Sequence, residues 1–222
     1  HRGLSVVPII EGPNEVGVFG QSRYEVGVRV DIPKSVTVTS RWDKAVDRFG
    51  FAAEELLKLG RLRNLKILHY HVGSQIVKQA DILQPLRFVL KVYAQLKKIN
   101  PGLDTIDIGG GMPIPYDRRS GYSITNLAGQ ILRLMKNFAD REGMPHPNLI
   151  VEWGRYIVAP AQVTIYKTID VKDISKGTAK KWYVIDGSFM NDLLDTWAIH
   201  QKWHVVPVNS ANRSSNERTR AT

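Results

Sequence analysis

The sequence predicts an α/β fold: the C-terminal part of a (β/α)8 TIM-type barrel over residues 1–160, then the start of a β-rich domain over residues 161–208. Three observations predict it. Strand-like and helix-like segments alternate through the first 160 residues, the pattern of βα units and hence of a parallel sheet. Residues able to do chemistry (Arg29, His71, Gly109 and Glu152) recur at strand ends roughly every 40 positions, the length of one strand, one helix and two loops. Beyond Ala161 the long helices stop and strands rich in β-branched residues follow one another.

In order along the chain, "YEVGVRV" (24–30) alternates apolar and polar residues and carries Arg29 at its end. "FAAEELLKLG" (51–60) reads as a helix that Gly60 stops. "LKILHYHV" (65–72) is an apolar strand bearing His71, and the small, polar "GSQ" after it contains Ser74. Apolar residues at helical spacing run from Gln79 to Asn100, where "NPG" ends the helix; Pro85 marks a later start or a kink. "LDTIDI" is the next strand, residues 126–143 the next helix, and "NLIVEW" (148–153), with Glu152, the strand after that. "AQVTIYKTIDV" (161–171), "KWYVIDGSF" and "WHVVPV" read as strands of the second domain. Residues 209–222 hold no large apolar residue and are expected to be a disordered or non-native tail.

Composition limits the function classes. With 222 residues and 43% hydrophobic content the chain can bury a sizeable core. No stretch approaches the ~20 apolar residues of a membrane span, and no apolar signal segment opens the chain, so no membrane partner is expected. Cysteine is absent, which excludes disulfides and thiolate metal ligands and fits a cytoplasmic location; no metal site is expected. The net charge of +10 is scattered, apart from Lys176, Lys180, Lys181 and the arginine-bearing tail. Such a surface favours anions generally, and no nucleic-acid partner is expected. The chain begins with His1, so the true start is expected upstream.

"DTIDIGGGMPIPYD" (104–117) places Gly109, Gly110 and Gly111 directly after a strand. Such a run reads either as a plain turn or as a cradle whose bare amides hold a phosphate. In (β/α)8 barrels the groups at the C-terminal strand ends converge on one site, and Arg29, His71, Ser74, the glycines and Glu152 all fall there. Taken singly, His71 reads as a satisfied core histidine and Glu152 as a capped surface acid.

"HVGSQ", "DIGGGMP" and "VEWGR" resemble, in order and spacing, the signature segments of the fold type III pyridoxal-phosphate decarboxylases. That family includes the ornithine, diaminopimelate and biosynthetic arginine decarboxylases, and the resemblance runs from about Tyr24 to Val208. It implies that Gly109 to Gly111 wrap the phosphate of pyridoxal 5′-phosphate, with Ser74, Gly154 and Arg155. It also implies that His71 stacks on the cofactor ring, Arg29 lies near its polar edge, and Glu152 pairs with its ring nitrogen, making His71 and Glu152 the catalytic residues. Trp153 stands where the family has proline.

The segment "DTWAIHQKWHVVPV" resembles arginine decarboxylases, whereas "FMNDLL" (189–194) resembles diaminopimelate decarboxylases. Asp186 in "IDGSF" matches the acid that holds a basic substrate tail, although a turn Asp before Gly is the alternative. The implied activity is decarboxylation of arginine, with another diamino acid, diaminopimelate included, as the alternative. The substrate is a small amino acid and the expected assembly a homodimer or larger homo-oligomer. Nothing in the chain matches the family's first-strand lysine, in a stretch like "YAVKAN", or its C-terminal cysteine and aspartate. The chain is therefore expected to be an internal part of a longer enzyme, inactive alone. A catalytically dead regulatory homologue is the reading from another class.

Overall fold

The computed structural model describes residues 6–36, 48–116, 122–198 and 202–210. It divides into two compact units: His1–Ile114 with Gly121–Ala159, and Pro115–Ser120 with Pro160–Thr222.

The first unit is a five-stranded parallel sheet, β1 (Ile9–Ile10), β2 (Val26–Arg29), β3 (Leu65–His69), β4 (Thr105–Asp107) and β5 (Asn148–Ile150), whose spatial order is its chain order. A helix follows each strand: α1 (Pro13–Phe19), α2 (Ala53–Lys58), α3 (Ala80–Ile99), α4 (Ile124–Glu142) and α5 (Gly154–Val158). Sequential parallel order with a helix after every strand is how a (β/α)8 barrel is laid down. Five of its units are present among the described residues.

The two long helices show why the units hold together. Ile82, Leu86, Val89, Tyr93 and Leu96 repeat on one face of α3 and are buried, as are Leu127, Ile131, Met135 and Phe138 on α4. Each such side chain contributes roughly 1.5–3 kcal/mol on leaving water. In β3 the neighbouring Ile67 and Leu68 are both buried, as is Leu65, so both faces of that strand are covered. Ser123 caps α4 by accepting the Asn126 N–H, and Gly143, in the left-handed region, ends it. Asn100, buried after α3, accepts the Leu62 N–H at 2.8 Å and so ties the loop before β3 to the helix end.

Differences from the sequence expectations have local causes. Helix α3 begins at Ala80 and runs through Pro85, which removes one backbone bond but buries its ring. The strand expected over 65–72 stops at His69, which leaves His71 on the loop. Helix α5, five residues long, starts directly after Trp153, where the sequence pattern predicts no helix.

In the second unit β6 (Thr168–Asp173) pairs antiparallel with β7 (Lys181–Ile185). The strand expected over 161–171 is extended only from Thr168, where a partner exists, and "WHVVPV" forms no strand. A β-rich stretch without a neighbour has nothing to hydrogen-bond. Two one-turn helices, α6 (Phe189–Asp192) and α7 (Asp195–Ala198), follow, then a 3-10 turn at Val208–Ser210. Of the expected tail, residues 211–222 lie outside the described residues.

Candidate active site

Every strand of the parallel sheet delivers a polar side chain at its C-terminal end. Glu11 follows β1, Arg29 ends β2, His69 ends β3 with His71 just beyond, Asp107 ends β4, and Glu152 follows β5. Register sets three of them on one rung, with Arg29 beside His69 and His69 beside Asp107. Glu11, Arg29, Phe49, His69, His71 and Glu152, with Ile9, line a cleft of about 430 Å3. That lies within the ~300–1,000 Å3 of small-molecule pockets.

Arg29 is held from two sides. Its Nη1 donates to Glu11 Oε1 at 2.8 Å, and its guanidinium lies 4.5 Å from the centre of the Phe49 ring. An opposite charge and an aromatic face offset the desolvation of a side chain that is only 12% exposed.

His71 is half-buried, and its Nδ1 accepts the Gly110 N–H at 3.2 Å. An acceptor Nδ1 carries no proton, so the neutral ring bears its hydrogen on Nε2. Burial first, then the positive charge of Arg29 and of His69, hold the imidazole below the usual histidine range despite Asp107. His71 is neutral at neutral pH.

Gly109 and Gly111 must be glycine because other backbone closes on them. A Cβ on Gly109 would sit 2.6 Å from the Tyr70 carbonyl oxygen, and one on Gly111 would sit 2.8 Å from that of Gly73. Both residues have positive φ, +65° and +101°, which side-chain-bearing residues rarely adopt. Gly109 N–H donates to Asp107 Oδ1 at 2.9 Å, and Gly110 N–H to His71. Two of the three amides expected to face a phosphate therefore have partners inside the protein, and only that of Gly111 has none among the described residues. The run is thus a tightly packed turn that leaves one amide over.

Ser74 is exposed and adjoins Gly73, whose carbonyl packs on Gly111. The loop carrying it is clasped to the glycine loop: Gln75 Nε2 donates to the Ile114 carbonyl at 2.9 Å and its Oε1 accepts the Ile114 N–H at 2.8 Å. Gly154 opens α5 and Arg155 follows, half-buried. Asp186 belongs to the second unit, where its Oδ1 accepts the Lys167 N–H at 2.8 Å.

Behind Glu152 lies a pair that sequence reading passed over. His69 and Asp107 are both buried, with Nδ1 3.1 Å from Oδ2, a contact that lacks hydrogen-bond geometry at His69. Donor atoms of His69, Asp107 and Glu152 all lie within 4.8 Å of one another, the one grouping among the described residues compact enough for a cation. Burial first, then the Asp107 carboxylate, push Glu152 above the ordinary carboxylate range, against the opposing influence of His69 and Arg29. Asp107 had a visible signal, an acid inside the apolar run "TIDI", because a buried acid needs partners. Glu11 and Phe49 had none.

The family described as pyridoxal-dependent decarboxylase, pyridoxal binding domain, matches residues 19–159. The biosynthetic arginine decarboxylase of Pseudomonas aeruginosa is 30% identical over 193 residues, covering 77% of this chain and 30% of that protein. The chain thus spans under a third of the length of that relative. Among solved structures, the biosynthetic arginine decarboxylase of Campylobacter jejuni aligns with TM-score 0.57 and 23% identity over 69% of this chain and 27% of its own. The diaminopimelate decarboxylase of Helicobacter pylori, complexed with L-lysine, aligns with TM-score 0.65 and 22% identity over 90% of this chain and 51% of its own. Both structures share the fold.

Proposed function

The chain belongs to the pyridoxal-dependent decarboxylases, and from that premise we propose that it forms the cofactor-binding part of an enzyme that decarboxylates arginine. One observation carries the reading: an anchored arginine, a neutral imidazole, a tight glycine turn with one free amide and the Glu152 carboxyl meet at the ends of consecutive strands. Those groups fit pyridoxal phosphate. The Gly111 N–H, the Ser74 hydroxyl and Arg155 would hold its phosphate, with Gly154 leaving room at the start of α5 and Gly109 and Gly110 shaping the turn. His71 would cover one ring face, Arg29 would lie at the ring's polar edge, and Glu152 would pair with the ring nitrogen.

When bound, the cofactor supplies a sink for the electron pair left at Cα as CO2 departs. Glu152 keeps a proton at the ring nitrogen, because a carboxylate beside that atom favours its charged form. His71, neutral and fixed by Gly110, keeps water off one face without competing for that proton. Arg29 adds positive charge to the cleft, and Glu11 prevents it from swinging onto Glu152.

Arginine is favoured as substrate because the curated relatives are named biosynthetic arginine decarboxylases. Diaminopimelate or another diamino acid is the alternative, favoured by "FMNDLL". Asp186 would hold the basic tail; its Oδ2 has no partner among the described residues. A cytoplasmic homodimer or larger homo-oligomer, a barrel domain over 1–160 and a β-rich domain over 161–208 belong to the same reading. The test is CO2 release from arginine, ornithine, lysine and diaminopimelate by the protein that contains this chain, supplied with pyridoxal phosphate. Arginine should lead, and Glu152→Gln should keep the cofactor bound while lowering turnover by orders of magnitude. Cofactor binding without turnover on any substrate would instead favour the inactive regulatory homologue.

A further inference from the structure

Asp107 touches both ends of the site. Its Oδ1 accepts the Gly109 N–H at 2.9 Å, and its Oδ2 lies 3.1 Å from His69 Nδ1 within the group of donors that Glu152 completes. Gly109 in turn accepts the Glu152 backbone N–H at 3.0 Å, so a closed circuit runs from acid to glycine turn to acid. Asp107 is 5% exposed and His69 7%, at the inner wall of the cleft. A buried carboxylate beside a second carboxylate has a cost, and packing alone would be served as well by a neutral residue.

We propose that Asp107 and His69 are positioning residues that set the glycine turn and the Glu152 carboxyl as one unit, Asp107 fixing the turn with one oxygen and, with His69, fixing the charge of Glu152 through the other. The proposal rests on the cofactor reading above. It assigns opposite electrostatic effects to the two residues. Groups that face Glu152 are Glu11 from β1, Arg29 from β2, His69 and His71 from β3 and its loop, and Asp107 from β4. Of these, Asp107 is the nearby like charge that keeps Glu152 protonated to higher pH, and His69 opposes it. Removing the charge of Asp107 therefore lets Glu152 ionise at lower pH, and removing His69 does the reverse.

The experiment measures binding of 4′-deoxypyridoxine 5′-phosphate, which has the ring and phosphate but no aldehyde, from pH 5 to pH 8 to the cofactor-free protein that contains this chain. Asp107→Asn keeps an oxygen for Gly109 and should bind within about threefold of wild type, with its acid limb moved to lower pH. His69→Gln should move that limb up. Asp107→Ala, which loses the acceptor as well, should lose at least about tenfold in affinity, a full charge-assisted hydrogen bond. Circular dichroism and thermal midpoint establish that each variant is folded. Acid limbs that do not move in Asp107→Asn and His69→Gln, or an Asp107→Asn that binds as poorly as Asp107→Ala, would overturn the proposal. A folded wild type that does not bind the analogue overturns the cofactor reading, and the proposal with it.

Discussion

Replacing the three glycines one at a time by alanine should separate packing from ligand binding, because the neighbours differ at each. At Gly111 an alanine meets the Gly73 carbonyl oxygen at 2.8 Å and the tip of Ile76 at 2.7 Å, with φ at +101°. The backbone conformation costs an L-residue ~1–2 kcal/mol and the overlap another ~1–3 kcal/mol. The total, ~2–5 kcal/mol, is a large part of the ~5–15 kcal/mol of a typical domain. Gly109→Ala falls in the same range, since its Cβ would sit 2.6 Å from the Tyr70 oxygen at φ +65°. Gly110 differs: its φ is not positive, and its Cβ would lie 3.2 Å from the Glu152 oxygen and 3.3 Å from His71 Cε1. That mild crowding is offset by the ~0.4–1 kcal/mol that alanine gains through a less flexible unfolded chain. Urea unfolding of the cofactor-free protein should therefore give Gly109→Ala and Gly111→Ala midpoints well below wild type and a Gly110→Ala midpoint close to it. Gly110→Val should unfold later than Gly111→Ala yet bind pyridoxal phosphate far more weakly, because its extra methyl groups press on His71. A Gly110→Ala as unstable as Gly111→Ala would refute the packing argument, and a Gly110→Val with wild-type affinity would remove the Gly110–His71 contact from the account of cofactor binding.

Two further outcomes follow from the loops. His71→Ala should leave the thermal midpoint nearly unchanged while altering cofactor absorbance and weakening cofactor binding; early melting with a normal spectrum would make it a packing residue. Gln75, with φ +54°, is the one side-chain-bearing residue with positive φ among those described. Gln75→Gly relieves that strain and Gln75→Ala does not, so both lose the clasp on Ile114 but the alanine variant should be less stable by about 1 kcal/mol in urea unfolding. Equal stability of the two would remove strain from the account.

The sheet was legible because its signals are local. Gly60, "NPG" and the apolar faces of residues 79–100 and 126–143 mark element ends and buried sides without reference to anything distant. Arg29, His71 and Glu152 were legible because a barrel gathers what its strands carry at one end. His69 was not, since within its apolar run it looks like a single interruption until register sets it beside Asp107, the acid that stands out inside "TIDI". Residues 161–167 misled for the opposite reason. Their β-branched composition is real, but pairing begins only at Thr168, where Ile185 provides a partner.

Parallel register also determines where this chain can tolerate change. Arg29, His69, Asp107 and Ile150 occupy successive places across one rung. Inserting or deleting a single residue within β2, β3 or β4 would rotate that strand's chemical side chain to the helix-facing side and bring an aliphatic one into the cleft. The connections at the opposite end, around Gly60 to Asn64, Pro101 to Leu103 and Gly143 to Pro147, carry none of these side chains. Length variation and grafted segments fit best in the exposed Gly143 to Pro147 turn, because Asn100 bonds the Leu62 N–H and the Gly60 carbonyl and Leu103 is buried at the other two.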